Sequence, residues 1–591
     1  MVGPRPRRWA SPADPHGGGR HEATGKHETA SKKLTCDTPR PGANDCRWSA
    51  WSLCQTRAVP AWGRITRYGA AALAVGAVGA GLRLWLILSD TPPTNSDEAT
   101  MGLAALHIGQ GRALPVFFYG QHYMGTLEAY LAAPLVALAG PSVVVLRIPT
   151  LSLYVALLIG SYHLSRRLFT PGFAVATVGL LAFAADRTVK NQLIAGGGYP
   201  EGGPAAVALM LLAVWLGAAS RPARASLRRL LAFAAWGFVA GLLLWNHWLG
   251  VPYLAAAAIV LAVGVGRELL GRAGLITLGG LAFGAAPLLA HNLRTPLAES
   301  SPMVFRQLYG MGDAVVGASQ AFGRVLQGIP LGVGLCAPSH CTLWQLWWAP
   351  ALLLIAGIAA VGYARAALHA SGADRVREVA RLALVVAALA TVLSYARSPA
   401  AALSPVESAR YLSLVVVSMP AMLWPLWRWA TTNTGALSSP LRGARRFAGA
   451  LPLAALTVTL AAATGSLIAQ MSTYAEQADR RHELLTALRQ HGVTRFYTEY
   501  WSCNWVAFAT AEDTVCAVLT DDLRPGVNRV PGYRAAVADA IEPPAYVAPV
   551  PSRFDRAVRR HLTGAGVPFA VDELAGYRVY RPTTHVTPPL G

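Results

Sequence analysis

At 591 residues, 53% hydrophobic and only 14% charged, with 57 glycines, the chain is too apolar to be a string of soluble domains. Its formal net charge of +21 would suit a nucleic acid, but the Lys and Arg residues gather in the N-terminal segment and in short loops between apolar runs. No basic patch is interleaved with aromatic residues, so nucleic-acid binding is excluded and a polytopic α-helical membrane protein is expected.

Residues 1–66 are rich in Gly, Pro, Ser, Thr, His, Lys and Arg and poor in aliphatic residues, which predicts a disordered cytoplasmic N-terminal tail. Its charged start is not followed by an apolar run and a small-residue cleavage site, as a signal peptide would be. The first span is expected at residues 68–88, long enough to cross about 30 Å of hydrocarbon. Arg64 and Arg67 place its start inside and Asp97-Glu98 outside. Residues 89–146 are interrupted by Pro92, Pro93, Pro115, Pro134 and Pro141 and by several glycines. They read as a long first outer loop of short interfacial helices, although 128–138 is apolar enough to count as a span.

From there the basic clusters set the direction of each turn. Residues 145–164 run in to Arg166-Arg167, 172–191 run out, 204–219 return to Arg221, Arg224, Arg228 and Arg229, and 231–249 run out. Residues 253–266 return to Arg267 and Arg272, 275–290 run out, and 347–364 return to Arg365, Arg375 and Arg377. Residues 382–395 run out, 411–426 return to Arg428, Arg442, Arg445 and Arg446, and 447–470 run out. The result is about eleven spans, with basic clusters at the inside turns.

The same alternation puts residues 471–591 outside. There a helical pattern over 474–490 stops at Gly492, and strand-like runs follow at 494–500, 515–519, 546–550 and 577–580. A small extracytoplasmic α/β domain is expected. Of the seven cysteines, Cys36, Cys46 and Cys54 fall in the inside tail, where thiols stay reduced. Cys336 with Cys341 and Cys503 with Cys516 fall outside as two close pairs, and both are expected to be disulfides.

The acidic pair Asp97-Glu98 begins the first outer loop. A helix start explains it in part: Ser96 suits an N-cap, and acids in a first turn meet the positive end of the helix dipole. The loop continues through Gly111-Arg112-Ala113-Leu114-Pro115, Tyr119-Gly120-Gln121, Gly125-Thr126-Leu127-Glu128-Ala129-Tyr130 and Leu146-Arg147-Ile148-Pro149. With the Arg166-Arg167-Leu168-Phe169 end of the next span, this stretch resembles the GT-C class of polyprenyl-phosphate-sugar glycosyltransferases. It is most similar to the protein mannosyltransferase and lipid A aminoarabinose transferase group (glycosyltransferase family 39-like). The local resemblance covers residues 67–220; beyond it, the span count, Arg410-Tyr411-Leu412 before a span and the outer C-terminal domain agree.

The resemblance implies an inverting transfer on the outer face, from a polyprenyl-phosphate sugar to an acceptor hydroxyl on a protein, lipid or glycan. It implies Asp97 as general base, with Glu98 orienting or binding substrate, since neighbours on a helix point about 100° apart. The family often carries a Lys later in this loop that contacts the donor phosphate. This chain has none between Asp90 and Arg147; Gln121 and Tyr123 stand about there, and Arg410 is the candidate cation, against the plain reading of a residue flanking a span. Glu201 matches the place of a second acidic site residue, with Asp186 as the weaker alternative, and Glu128 is expected in a structural or substrate-binding role. His247 reads as an interfacial residue, and the Gly196–Gly203 run is not a nucleotide P-loop. Some members of the class use a divalent metal ion, which one acidic pair is not enough to assign. The competing readings are a transporter or flippase of lipid-linked sugars, to be marked by broken helices and midplane charges, and a polysaccharide polymerase or ligase.

Overall fold

The computed structural model describes residues 66–219, 226–310, 318–338, 340–432, 439–574 and 576–589. The expected N-terminal tail with its three cysteines, and the inside-turn residues Arg221 and Arg224, lie outside this set. Among the described residues eight helices are long and apolar enough to cross a membrane, and three further helix pairs, bent by more than 40°, bring the number to as many as 11. The chain is an integral, multi-pass membrane protein.

Helices Pro171–Ala182 and Asp186–Leu193 meet at 94°, which leaves carbonyls at the break without intrahelical partners. The wholly buried Arg83, in the first span (Arg67–Leu88), reaches them: Nη1 donates to the Ala182 carbonyl at 2.8 Å and Nη2 to that of Leu181 at 3.3 Å. Its Nε donates to Gln192 at 3.0 Å, and its guanidinium stacks 4.0 Å from the Tyr154 ring. A charge at membrane depth is tolerated here because protein dipoles replace water around it. Arg272–Gly284 and Ala286–Arg294 meet at 67°, and Pro405–Leu412 and Val415–Thr431 at 66°.

Close helix contact is built from small residues, as expected where no hydrophobic effect separates helix from lipid. Gly237 and Gly241 of Leu227–Asn246 face Gly280 and Gly284 of Arg272–Gly284. A Cβ at Gly237 would lie 2.0 Å from the Thr277 carbonyl oxygen, and one at Gly284 would lie 2.2 Å from that of Phe238.

Beyond helices Ser439–Ala469 and Met471–Gln490 the chain forms a five-stranded sheet: β1 Arg495–Thr498, β2 Val515–Val518, β3 Ala545–Pro549, β4 Phe569–Leu574 and β5 Tyr577–Pro582. The order is β2-β1-β3-β5-β4, with β2, β1 and β3 parallel and β3, β5 and β4 antiparallel. Strand β4 has no counterpart in the sequence reading. The sheet domain's core runs on into the segment that follows the first span: Phe508 and Trp505 pack in one apolar cluster with Met101, Leu103 and Phe118. Both expected disulfides are formed, Cys336–Cys341 and Cys503–Cys516, with Cα separations of 5.2 and 5.5 Å.

Candidate active site

The helix Ser96–Gly109 starts one residue earlier than the sequence suggests: Asn95, not Ser96, is the N-cap, and its side chain accepts from the Glu98 amide at 2.9 Å. Ser96 serves another purpose. Its hydroxyl donates to the Tyr500 carbonyl at 2.6 Å and accepts from the Asn504 amide at 3.2 Å, while Asn504 Nδ2 donates to Thr100 at 2.7 Å. At Gly102 a Cβ would come within 2.7 Å of the Phe508 ring, so the helix lies flat against Tyr500–Ala509.

The 100° step between neighbours then separates the two acids. Glu98 is wholly buried and takes a paired contact from Arg147, Nε to Oε1 at 2.7 Å and Nη2 to Oε2 at 2.6 Å. It does not line the cavity that its neighbour faces. Asp97 points the other way, into a cavity of about 210 Å³ whose wall also includes Gln121, Tyr123, Tyr199, Arg410 and Tyr411. Asp97 Oδ1 accepts a hydrogen bond from the Tyr500 hydroxyl and lies 3.8 Å from Arg529 Nη2.

Arg410 lies across aromatic rings, its Cζ 5.3 Å from the Tyr199 centroid and 5.9 Å from that of Tyr411. Its buried Nε has no hydrogen-bond partner among the described residues. An unsatisfied buried donor beside a cavity is costly and favours an anion there. The phenol of Tyr123 is pushed up to about 12, mainly by burial, and that of Tyr500 is raised by burial and then by the charge of Asp97. Both hydroxyls are thus held in the protonated form, able to donate.

Glu128 and Glu201 stand one layer behind the cavity. Glu128 Oε1 accepts from the Gly197 and Gly198 amides, each at 3.2 Å, which fixes the glycine-rich loop whose Gly196 lines the wall. Glu201 accepts a hydrogen bond from Asn246 Nδ2. His247 also lines the cavity. Asp186 is engaged elsewhere, with Lys190 at 3.1 Å and the Tyr474 hydroxyl at 3.0 Å. Among the described residues no group of three or more His, Cys, Asp or Glu is placed to hold a metal ion.

Of the residues named from the sequence, Asp97, Gln121, Tyr123 and Arg410 meet at one cavity, Glu128 and Glu201 support its wall, and Glu98 belongs to the core. Tyr500 and Arg529 were missed. They lie some 400 positions from Asp97 in the chain, and only the charge of Arg529 could have drawn attention to either.

No protein-family model matches the chain, and no curated protein matches it in sequence. In structure it is similar to ArnT from Cupriavidus metallidurans bound to undecaprenyl phosphate, at TM-score 0.52 and 12% identity over 87% of this chain and 98% of that one. The apo state of that protein matches at TM-score 0.51 and 13% identity over the same shares, 87% and 98%. The Archaeoglobus fulgidus oligosaccharyltransferase in complex with Zn and sulfate aligns at TM-score 0.48 and 14% identity, over 86% of this chain and 73% of that one. The likeness to ArnT shows that the fold is of the GT-C glycosyltransferase type.

Proposed function

We propose that this protein is a membrane glycosyltransferase that moves a sugar from a polyprenyl-phosphate donor to an acceptor hydroxyl on the outer face. The observation that carries the reading is the cavity itself: a carboxylate, Asp97, shares it with an arginine, Arg410, that has an unused buried donor, between aromatic walls. In this reading the acceptor oxygen attacks the anomeric carbon while Asp97 takes its proton. The bond from that carbon to the phosphate oxygen breaks, and its electron pair leaves with the polyprenyl phosphate, whose charge faces Arg410. Attack from the side opposite the leaving group inverts the configuration.

The structural neighbour crystallised with undecaprenyl phosphate supports a lipid-phosphate donor class. The loop charges support placing the cavity and the sheet domain outside the membrane, with the N-terminus in the cytoplasm. Bent spans, expected of a transporter, occur here too, so they do not separate the readings; a carboxylate held at an outer-loop cavity favours surface chemistry over passage. The test is transfer of label from polyprenyl-phosphate monosaccharides in membranes, wild type against Asp97→Asn. Donor-dependent labelling that Asp97→Asn abolishes is expected; full turnover by that variant would defeat the assignment, and no labelling with any common monosaccharide would favour transport.

A further inference from the structure

Asp97 is not held by its own helix. Nothing within the Ser96–Gly109 helix hydrogen-bonds its carboxylate among the described contacts; the hydroxyl that does belongs to Tyr500, at the first position of a helix in the sheet domain. That hydroxyl in turn accepts from Arg529 Nε at 2.9 Å. The same guanidinium reaches three wall residues of the cavity at once. It lies 3.8 Å from Asp97, donates to the Gln121 carboxamide oxygen, once that amide is turned toward it, at 3.0 and 3.1 Å, and sits 5.1 Å from the Phe118 ring centroid. Neither Tyr500 nor Arg529 lines the cavity. Both stand behind it.

We infer that Tyr500 and Arg529 are positioning residues through which the outer sheet domain sets the orientation of the reactive carboxylate, so that the site is assembled from both ends of the chain. This rests on the reading of Asp97 as the base. The physical case is one of rotamer control. An aspartate in the first turn of a helix has several low-energy orientations, and a general base must stand within hydrogen-bond reach of one particular proton. A donor fixed in a second domain removes that freedom, provided the donor is itself fixed. Tyr500 is fixed by its backbone carbonyl, which accepts from Ser96, and by Arg529 across its hydroxyl and ring. Arg529 is suited to this because its planar fork donates in fixed directions to several acceptors and stacks flat on rings, whereas an ammonium is a compact point charge without that geometry. With Arg529 donating to its oxygen, the Tyr500 hydroxyl directs its own proton to Asp97.

A disturbed carboxylate should slow the chemical step more than it weakens donor binding. In the purified full-length protein, Tyr500→Phe is expected to lower kcat on the order of 10- to 100-fold, with donor KM within about threefold and an unchanged melting temperature. Loss of a donor to the ionised carboxylate is also expected to move the acid limb of the rate–pH profile to higher pH, which a merely structural defect would not do. Arg529→Ala is expected to lose kcat similarly and to regain part of it on addition of guanidinium ion, and Arg529→Lys to remain impaired. A Tyr500→Phe enzyme with wild-type kcat and acid limb overturns the inference, as does Arg529→Ala with wild-type kcat. If Tyr500→Phe fails to fold, the Arg529→Ala arm decides: guanidinium rescue supports the inference, and a loss of kcat that guanidinium leaves untouched overturns it. An active Asp97→Asn overturns the proposed function; an inactive Asp97→Asn beside fully active Tyr500 and Arg529 variants removes only this inference.

Discussion

Arg147 Nη2 lies 2.6 Å from Glu98 Oε2, and both side chains are wholly buried. The two adjacent acids therefore do different work, one bracing the helix Ser96–Gly109 against the helix Val143–Leu168 and the other facing the cavity. Removing one partner of a buried pair leaves the other charge uncompensated, at a cost of about 3–5 kcal/mol. Glu98→Gln is thus expected to lower thermal stability in detergent sharply, and Asp97→Asn to leave it nearly unchanged while abolishing turnover. A Glu98→Gln protein with wild-type melting behaviour but no activity would instead give Glu98 a direct part in the reaction.

A second link between loop and sheet domain is sensitive to acid. Burial pushes the Glu512 carboxyl up, but hydrogen bonds from His107, Arg112 and Tyr533 outweigh it and hold the group at about 2, against an ordinary 4.5. The His107 contact is 2.9 Å and the Tyr533 contact 2.7 Å. A carboxyl depressed in the folded state stabilises it above the unfolded value, and that contribution fades as pH falls through the folded value. The wild type should therefore exceed Glu512→Gln in melting temperature at neutral pH, and the gap should close between about pH 4.5 and 2. A gap independent of pH would show that the ionised form contributes nothing.

Much of the architecture was legible because period and charge are local signals. Runs of apolar residues separated by arginine clusters marked the spans; two of the pairs that bend were expected as single spans, at 172–191 and 275–290, whereas the span expected at 411–426 took in little more than the second helix of the third pair. The bends were not legible: residues 183–185 are Phe-Ala-Ala, with no Pro or Gly to mark a break, and what secures it is Arg83, about 100 positions away. Strand β4 is half exposed along its length and alternates too weakly to stand out. In the site, the divergence of Asp97 and Glu98 followed from helix geometry, but which acid faced inward depended on Arg147 and Tyr500, contacts that no local pattern records.

The wall of the cavity also depends on a close backbone approach. The Gly125 amide donates to the Asn246 carbonyl at 2.9 Å, and a Cβ at this position would lie 2.5 Å from Asn246 Oδ1 and 2.8 Å from its Cα. Backbone cannot give way as a flexible side-chain tip can, so Gly125→Ala should shift the loop that carries Gln121 and Tyr123. We expect kcat to fall on the order of tenfold or more. Gly81→Ala, where nothing lies within 4 Å of the added carbon, should be silent in the same transfer assay. Equal activity of both variants would show that the loop tolerates displacement.

Arg410 offers the sharpest division between binding and catalysis. Its Nε is buried without a partner, while its guanidinium is propped between the rings of Tyr199 and Tyr411. A hydrogen bond to a charged group contributes about 1.5–3 kcal/mol, which corresponds to roughly 10- to 150-fold in affinity. If this donor meets the phosphate already in the bound donor, Arg410→Ala should raise donor KM by about that factor with a smaller effect on kcat. Arg410→Lys should recover only part of the loss, because an ammonium keeps the charge but not the fork that the two rings hold in place. Direct binding of polyprenyl phosphate to the purified variants separates the alternatives. An Arg410→Ala protein that binds it as tightly as wild type but turns over slowly would place the arginine against charge that develops only in the transition state, and one unchanged in both respects would remove it from the site.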